Sequence, residues 1–492
     1  MRYLLALVVA LLALPAPAWA QADGSPSVRD SVVKVYATYR GPSFERPWTK
    51  ESPEEFTGSG FVIDGNRIVT NAHVVEQASQ VFVQPPNSSD RMRAEVIAIS
   101  QDIDLAILEL RNDSERDAFF SKHPAVTFRD ELPPIGSTVQ AIGYPVGGDQ
   151  QSVTEGVVSR IEFADYSQTL AGLRVQVDAA LNPGNSGGPM VLGGEVIGVT
   201  FSGIEYAENI GYVIPVEEVN LFLDDVKDGT WNGKPRLHAS GFQTTENPAL
   251  RSRLGLAYEQ TGLVYTAQTA IDEIPLQKWD LLDAVGGFDV DNAGLITIED
   301  GLRVLWPVLL QRLGQGGSVP VTVVRDGSPV ELTLPLDFID RDVVQALGNA
   351  YPEYFVYGPL VFTKGYSEMG WWILYNPDSP IARRGDPHRQ FEGEELVVVS
   401  SQLLPHPITK GYEIAGRPIL KSVNGTKIKN LAHLVETLRD AEGEYLEFVF
   451  YDRQQEILIF SRDELNDSIE ELLDDNGIRK QMSDAMRPHW RD

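Results

Sequence analysis

Gly184-Asn185-Ser186-Gly187-Gly188-Pro189 is the stretch from which the rest of this chain can be read. A serine among glycines sits on a forced turn, and such a serine is a candidate nucleophile. At neutral pH its hydroxyl is a poor nucleophile. It needs a hydrogen-bonded general base and a third group that fixes the base's tautomer. His73, in Ile68-Val69-Thr70-Asn71-Ala72-His73-Val74-Val75, lies at the end of a strand-like run, and of the seven histidines it alone has such a setting. Asp104, in Asp102-Ile103-Asp104-Leu105-Ala106-Ile107-Leu108, enters a β-run that can bring it behind the imidazole.

From Val32 to about Val226 the chain is a series of short Val/Ile-rich runs separated by Gly, Pro, Asn and Asp, as in Phe61-Val62-Ile63-Asp64-Gly65-Asn66-Arg67-Ile68-Val69. This spacing predicts hairpins and an all-β sandwich or barrel, with no helical period of comparable length. Residues 227–235 are rich in breakers, and 229–235 read as a linker. Beyond Arg236 there is a weak repeat: Leu281-Leu282-Asp283-Ala284-Val285-Gly286-Gly287 is similar to Ile419-Leu420-Lys421-Ser422-Val423-Asn424-Gly425. Each copy precedes a Leu-spaced helix and an alternating hairpin, one turning at Asp326-Gly327 and one near Arg453, which predicts two copies of a small αβ domain. The expected units are 27–228, 236–338 and 350–462, the last with a long insertion, then an acidic helix-favouring tail over 463–492.

The length of 492 residues fits about three domains. Met1-Arg2-Tyr3, the apolar run Leu4 to Leu14 and Ala18-Trp19-Ala20 read as a removed secretory signal over 1–20, because the apolar run is shorter than the roughly 20 residues that span a bilayer. The expected product is exported, with no integral membrane segment, and a Gram-negative periplasm fits it. There are no cysteines, so disulfides and a cysteine nucleophile are excluded. A net charge of −29 argues against nucleic acid and anionic membrane as partners. No cofactor is expected: no P-loop is visible, and Asp289-Val290-Asp291-Asn292-Ala293-Gly294 lacks the full ligand spacing of a calcium loop, so no metal site is read there.

In the order His73, Asp104, Ser186, these words resemble the Deg/HtrA family of chymotrypsin-fold serine proteases. Thr70-Asn71-Ala72-His73-Val74-Val75, Asp104-Leu105-Ala106-Ile107-Leu108, Ala141-Ile142-Gly143-Tyr144-Pro145 and Asn182-Pro183-Gly184-Asn185-Ser186-Gly187-Gly188-Pro189 carry the resemblance. It implies a mostly β chain, a trypsin-like double β-barrel followed by two αβ PDZ-like domains. It also implies His73 as base and then acid, Asp104 as its orienting group, Ser186 as nucleophile, and the backbone N–H groups of Gly184 and Ser186 as oxyanion donors, with Asn185 contributing through its backbone. Gly184-Asn185-Ser186-Gly187-Gly188 also satisfies the G-x-S-x-G pattern of α/β-hydrolases. That rival fails on context, since its elbow feeds a helix and its histidine follows the serine, whereas Met190 to Val199 reads as a hairpin.

In such a fold Thr200-Phe201-Ser202 pairs with the substrate backbone, Ile210 and Tyr212 help wall the primary pocket, and Ala180 sits near its base. The preference implied is for small or medium aliphatic residues, unless Asp178 reaches in and favours Lys or Arg. Ser240-Gly241-Phe242 is the expected carboxylate loop of the first PDZ-like domain, and Gly358 to Phe362 the candidate in the second, where Pro359 removes one amide. The implied activity is ATP-independent endoproteolysis of unfolded or damaged proteins by a homo-trimer or a multiple of trimers, with Tyr36, Tyr39 and Phe44 as trimer contacts. The alternative from another class is a holdase chaperone or peptide-sensing scaffold with a dormant site, because the loop Leu181 to Asn185 can adopt two arrangements.

Overall fold

A computed structural model describes residues 27–165, 171–201, 211–237, 239, 241–266, 274–338, 341–370, 372–373, 376–414 and 416–490. The signal read at 1–20 lies outside them. Strands β1 (Val32–Tyr39), β2 (Glu54–Ile63), β3 (Arg67–Thr70), β4 (Ala78–Gln84), β5 (Met92–Ser100) and β6 (Leu105–Leu110) close into a barrel in the order β1-β2-β3-β6-β5-β4. Strands β7 (Thr138–Gly143), β8 (Ser152–Asp165), β9 (Ala171–Val177), β10 (Pro189–Leu192), β11 (Glu195–Phe201) and β12 (Gly211–Pro215) close in the equivalent order, β7-β8-β9-β12-β11-β10.

Continuous apolar runs suit strands such as β6 and β12 because both of their faces are buried. Along β6, Ala106 and Leu108 fill the first barrel, while Leu105 and Ile107 on the alternate face join a cluster with Ile142, Val199 and Ile214 of the second barrel. Phe61 and Ile63 of β2 enter the same inter-barrel cluster, and Val62 points the other way. The hairpin between β2 and β3 turns on Gly65 (φ +81°) and Asn66 (φ +59°). Two helices depart from the all-β expectation for this part, Asp113–Phe120 and Val216–Asp225; the second packs Val219 and Phe222 into the inter-barrel cluster.

After the linker, Phe242–Thr244, Leu263–Tyr265, Leu281–Val285, Ser318–Arg325 and Ser328–Pro335 form a sheet in that order, with the helix Val308–Leu313 beside it. Asp326 (φ +49°) and Gly327 (φ +78°) make the tight hairpin turn read from the sequence. This unit and the second barrel share one hydrophobic core: Val139, Leu173, Val175 and Val213 are continuous with Leu263, Val285, Trp306 and Leu334.

The final unit has a sheet of Tyr354–Tyr357, Leu360–Lys364 and Val397–Val399, and a second of Thr426–Lys427, Leu420–Val423, Tyr445–Phe450 and Leu458–Ser461. The repeated words of the two units are matching turns that need a left-handed backbone, Gly286-Gly287 (φ +58°, +86°) and Asn424-Gly425 (φ +46°, +78°). The helix Arg462–Asp475 buries Leu465 and Leu472. Residues after it return to the sheet: Val356 N donates to Gln481 O at 2.8 Å, and Ser483 N to Tyr354 O at 3.0 Å. Gly358 and Pro359 are the buried turn of a hairpin in which Tyr357 faces Leu360, so this stretch is not an open loop. Phe44 of the first unit packs within this chain, its ring 6.1 Å from that of Tyr366 in the final unit.

Candidate active site

Strand β3 delivers His73 on the single helical turn Ala72–Val75. His73 Nδ1 meets Asp104 Oδ2 at 2.7 Å, and the His73 backbone N–H donates to Asp104 Oδ1 at 2.9 Å. Both carboxylate oxygens are thus engaged by one residue, while Asn71 Nδ2 donates to the Asp104 carbonyl at 2.8 Å. With Nδ1–H given to Asp104, the other ring nitrogen, Nε2, is the basic one. The imidazole is 45% exposed and the Asp104 side chain 8%. Asp104 has φ +68°, a conformation that costs a non-glycine residue about 1–3 kcal/mol and persists only where its surroundings impose it. Burial works to lower the His73 pKa, but the charge and hydrogen bond of Asp104, with Glu76 adding, outweigh it and hold the imidazole above its ordinary value.

The serine turn lies in the second barrel and is braced from both barrels. Gly184 (φ +98°) and Gly187 (φ +86°) are left-handed. A Cβ at 184 would overlap the Tyr144 carbonyl and lie 2.7 Å from Val146 N, and one at 187 would overlap Ser59 O and Thr70 Oγ1. From the second barrel, Thr200 N donates to Gly188 O at 2.8 Å, and its hydroxyl bonds to the carbonyls of Asn185 and Gly188. From the first barrel, Ser59 N donates to Ser186 O at 2.8 Å, and Ser59 Oγ donates to Gly184 O at 2.7 Å while accepting from Tyr144 N at 2.8 Å. Gly58 is wedged between Val74 and the Ser186 carbonyl. The histidine turn and the serine turn therefore meet across the barrel interface.

A trypsin-like peptidase domain model matches residues 58–199, and a PDZ domain model matches residues 343–485. Protease Do-like 2, chloroplastic, of Arabidopsis thaliana is 32% identical over 479 residues, which span 94% of this chain and 76% of that protein. The chain belongs to the Do-like (DegP/HtrA) family of serine proteases. Putative protease Do-like 13 of the same plant is 33% identical over 416 residues, 84% of this chain and 80% of its own. Among solved structures, HtrA-type protease AlgW with tripeptide is 23% identical with a TM-score of 0.48, covering 63% of this chain and 94% of that one. The protein is a serine endopeptidase. Among the described residues no helix is long and apolar enough to cross a membrane, and no cluster of three or more His, Cys, Asp or Glu could hold a metal ion.

The other residues expected to surround the site in this Do-like protease fall in different places. Phe201 stands edge-on to His73, ring centres 6.2 Å apart. Thr200 is wholly buried beneath the serine turn, and Tyr212 is 3% exposed with its hydroxyl 3.3 Å from Glu162 Oε1, so neither is brought to an open surface. Ala180 is exposed. Asp178 is exposed and accepts a hydrogen bond from Val157 N. Ser202, Ile210 and Ser240 lie outside the described residues. Gly241 (φ +101°) gives its carbonyl to Thr266 N at 2.7 Å, and the Phe242 ring packs against Tyr265 and Trp306. Sequence reasoning missed Ser59. The signal was available, since Gly58-Ser59-Gly60 is a glycine pair inside a strand, which marks close backbone approach.

Proposed function

We propose that this endopeptidase cuts unfolded or damaged proteins by covalent catalysis through His73, Asp104 and Ser186. It does so without ATP in the periplasm, assembled as a trimer or a multiple of trimers. The observation that carries the reading is the 2.7 Å bond between His73 Nδ1 and Asp104, made by a half-exposed imidazole next to the serine turn. Ser186 Oγ attacks the scissile carbonyl as its proton passes to His73 Nε2. The N–H groups of Gly184 and Ser186 stabilise the oxyanion, and Asn185 N, already spent on Asn182 O at 3.0 Å, does not take part. The protonated His73 then gives its proton to the leaving amine, and water releases the acyl group by the same route. Asp104 orients the imidazole and stabilises the imidazolium without taking its proton. Ala180 supports a preference for small or medium aliphatic residues before the cut.

The test is digestion of an unfolded, cysteine-free protein without ATP, with product termini read by mass spectrometry, the labelled serine identified after a fluorophosphonate probe, and the assembly sized by sedimentation. Cuts after aliphatic residues, an adduct on Ser186 and a trimer-based particle are expected. An adduct on another serine, or suppressed aggregation with no products, would overturn the catalytic assignment. Gly184→Ala places a methyl against Tyr144 O and strains a left-handed site, so it should displace the first oxyanion donor. The expected loss in kcat is about 10²–10³-fold, measured on a peptide with an unchanged circular dichroism spectrum.

A further inference from the structure

Asp104 holds a left-handed backbone, and the two residues before it are gripped from distant parts of the chain. Asp102 Oδ2 accepts from Arg236 Nη2 at 3.0 Å. The Ile103 carbonyl accepts from Arg174 Nη2 at 3.2 Å, and Ile103 N donates to Ser100 Oγ at 3.2 Å. Arg174, on β9 of the second barrel, is 0% exposed, and its Nη1 donates to Leu173 O at 2.8 Å. Its guanidinium also lies 5.8 Å from the ring of Phe201, the ring that stands edge-on to His73. Removing a guanidinium from water is costly unless its donors find partners.

Arg236 is fixed by the first PDZ-like unit. Its N–H donates to Asp337 O at 2.7 Å, and Asp337 N returns the bond at 3.0 Å, just past the last strand of that unit's sheet. Two residues earlier, Lys234 Nζ pairs with Glu218 at 2.8 Å, and Glu218 Oε1 accepts from Leu173 N at 2.8 Å, so the linker is pinned next to Arg174.

We propose that Arg174 and Arg236 are positioning residues for the catalytic acid: by holding Ile103 and Asp102 they keep Asp104 in the conformation that presents both carboxylate oxygens to His73. The inference rests on the reading of His73, Asp104 and Ser186 as the reacting groups. Arg174 and Arg236 act through Asp104, by the bonds to Ile103 and Asp102. The path from the first PDZ-like unit to the acid is short, because one side chain, Arg236, joins them. Any shift of that unit that withdraws Arg236 from Asp102 loosens the His73–Asp104 bond and slows turnover without touching the substrate groove.

The test uses the full chain. For Arg236→Met, kcat on a peptide should fall about 10- to 100-fold, the scale of a misplacement of roughly 1 Å, with KM changed less than about twofold. The low-field proton resonance of the His73–Asp104 bond should shift or broaden, and Arg236→Lys should restore most of both signals. Arg174→Met should behave in the same way. If that buried variant fails to fold, Arg236, whose side chain is 35% exposed, carries the test alone. Unchanged kcat, a rise in KM alone, or an unmoved proton resonance in a slowed Arg236→Met would overturn the positioning role. Asp104→Asn and Ser186→Ala run alongside. If both are fully active, the triad reading fails; if both are inactive while Arg236→Met is fully active, only the positioning inference fails.

Discussion

Replacing Ser186 with alanine is expected to lower kcat by about 10⁶-fold and to leave the fold intact. The size of the effect follows from what remains. Without Oγ no acyl-enzyme forms, and His73 and Asp104 have no nucleophile to serve, so only the oxyanion donors and substrate binding continue to act. The fold should survive because the turn is held by its neighbours: Gly184 and Gly187 supply the backbone, Ser59 and Thr200 brace the carbonyls, and none of these bonds uses the Ser186 side chain. The check is single-turnover cleavage of a peptide together with the thermal midpoint. A variant that keeps more than about one hundredth of the parent rate would remove Ser186 from the nucleophile's role, since true nucleophile deletions lose far more.

Asp104→Asn should cost about 10⁴-fold in kcat. In the parent, one carboxylate oxygen receives the His73 backbone N–H and the other the imidazole N–H. An amide has only one acceptor oxygen, so its NH₂ must face one of those two donors. Satisfying both forces the imidazole into the tautomer whose proton is on Nε2, where it cannot accept from Ser186. The same substitution should move the acid limb of kcat/KM against pH. His73 must be neutral to act as base, and in the parent the influence of Asp104 overcomes burial and lifts its pKa, so activity falls as pH is lowered, with its half-point above the ordinary value of about 6.5. With the carboxylate gone, burial, already the largest single influence, is no longer outweighed by Asp104 and lowers the pKa with only Glu76 opposing it, so the limb should shift to lower pH. A limb that stays in place would show that Asp104 is not what raises the His73 pKa.

Much of the fold could be read in the sequence because its devices are local. The β-branched runs of the barrels, the Asp326-Gly327 turn and the paired turns of the repeat each depend on residues within a few positions of one another. What could not be read depends on closure. Arg174 looks like an ordinary outward residue of a strand, since it alternates with Leu173 and Val175, yet all three are 0% exposed. Period-two patterning separates the faces of a strand but not buried from exposed when both faces are covered. Phe44 was equally opaque, because its partner Tyr366 lies more than 300 residues away. Thr200 illustrates a third limit: its strand runs where it was expected, but its hydroxyl turns beneath the serine loop to fix two carbonyls.

The return of Gln481–Ser483 to the strand Tyr354–Tyr357 has a consequence beyond packing. An unpaired strand edge is a template for any extended chain that meets it, and a protease that meets loosened polypeptides would offer such a template continuously. Here residues 481–483 take that position themselves. The sheet is closed on that side against recruitment, and a polypeptide escaping the serine site finds no ladder there on which to begin a shared aggregate.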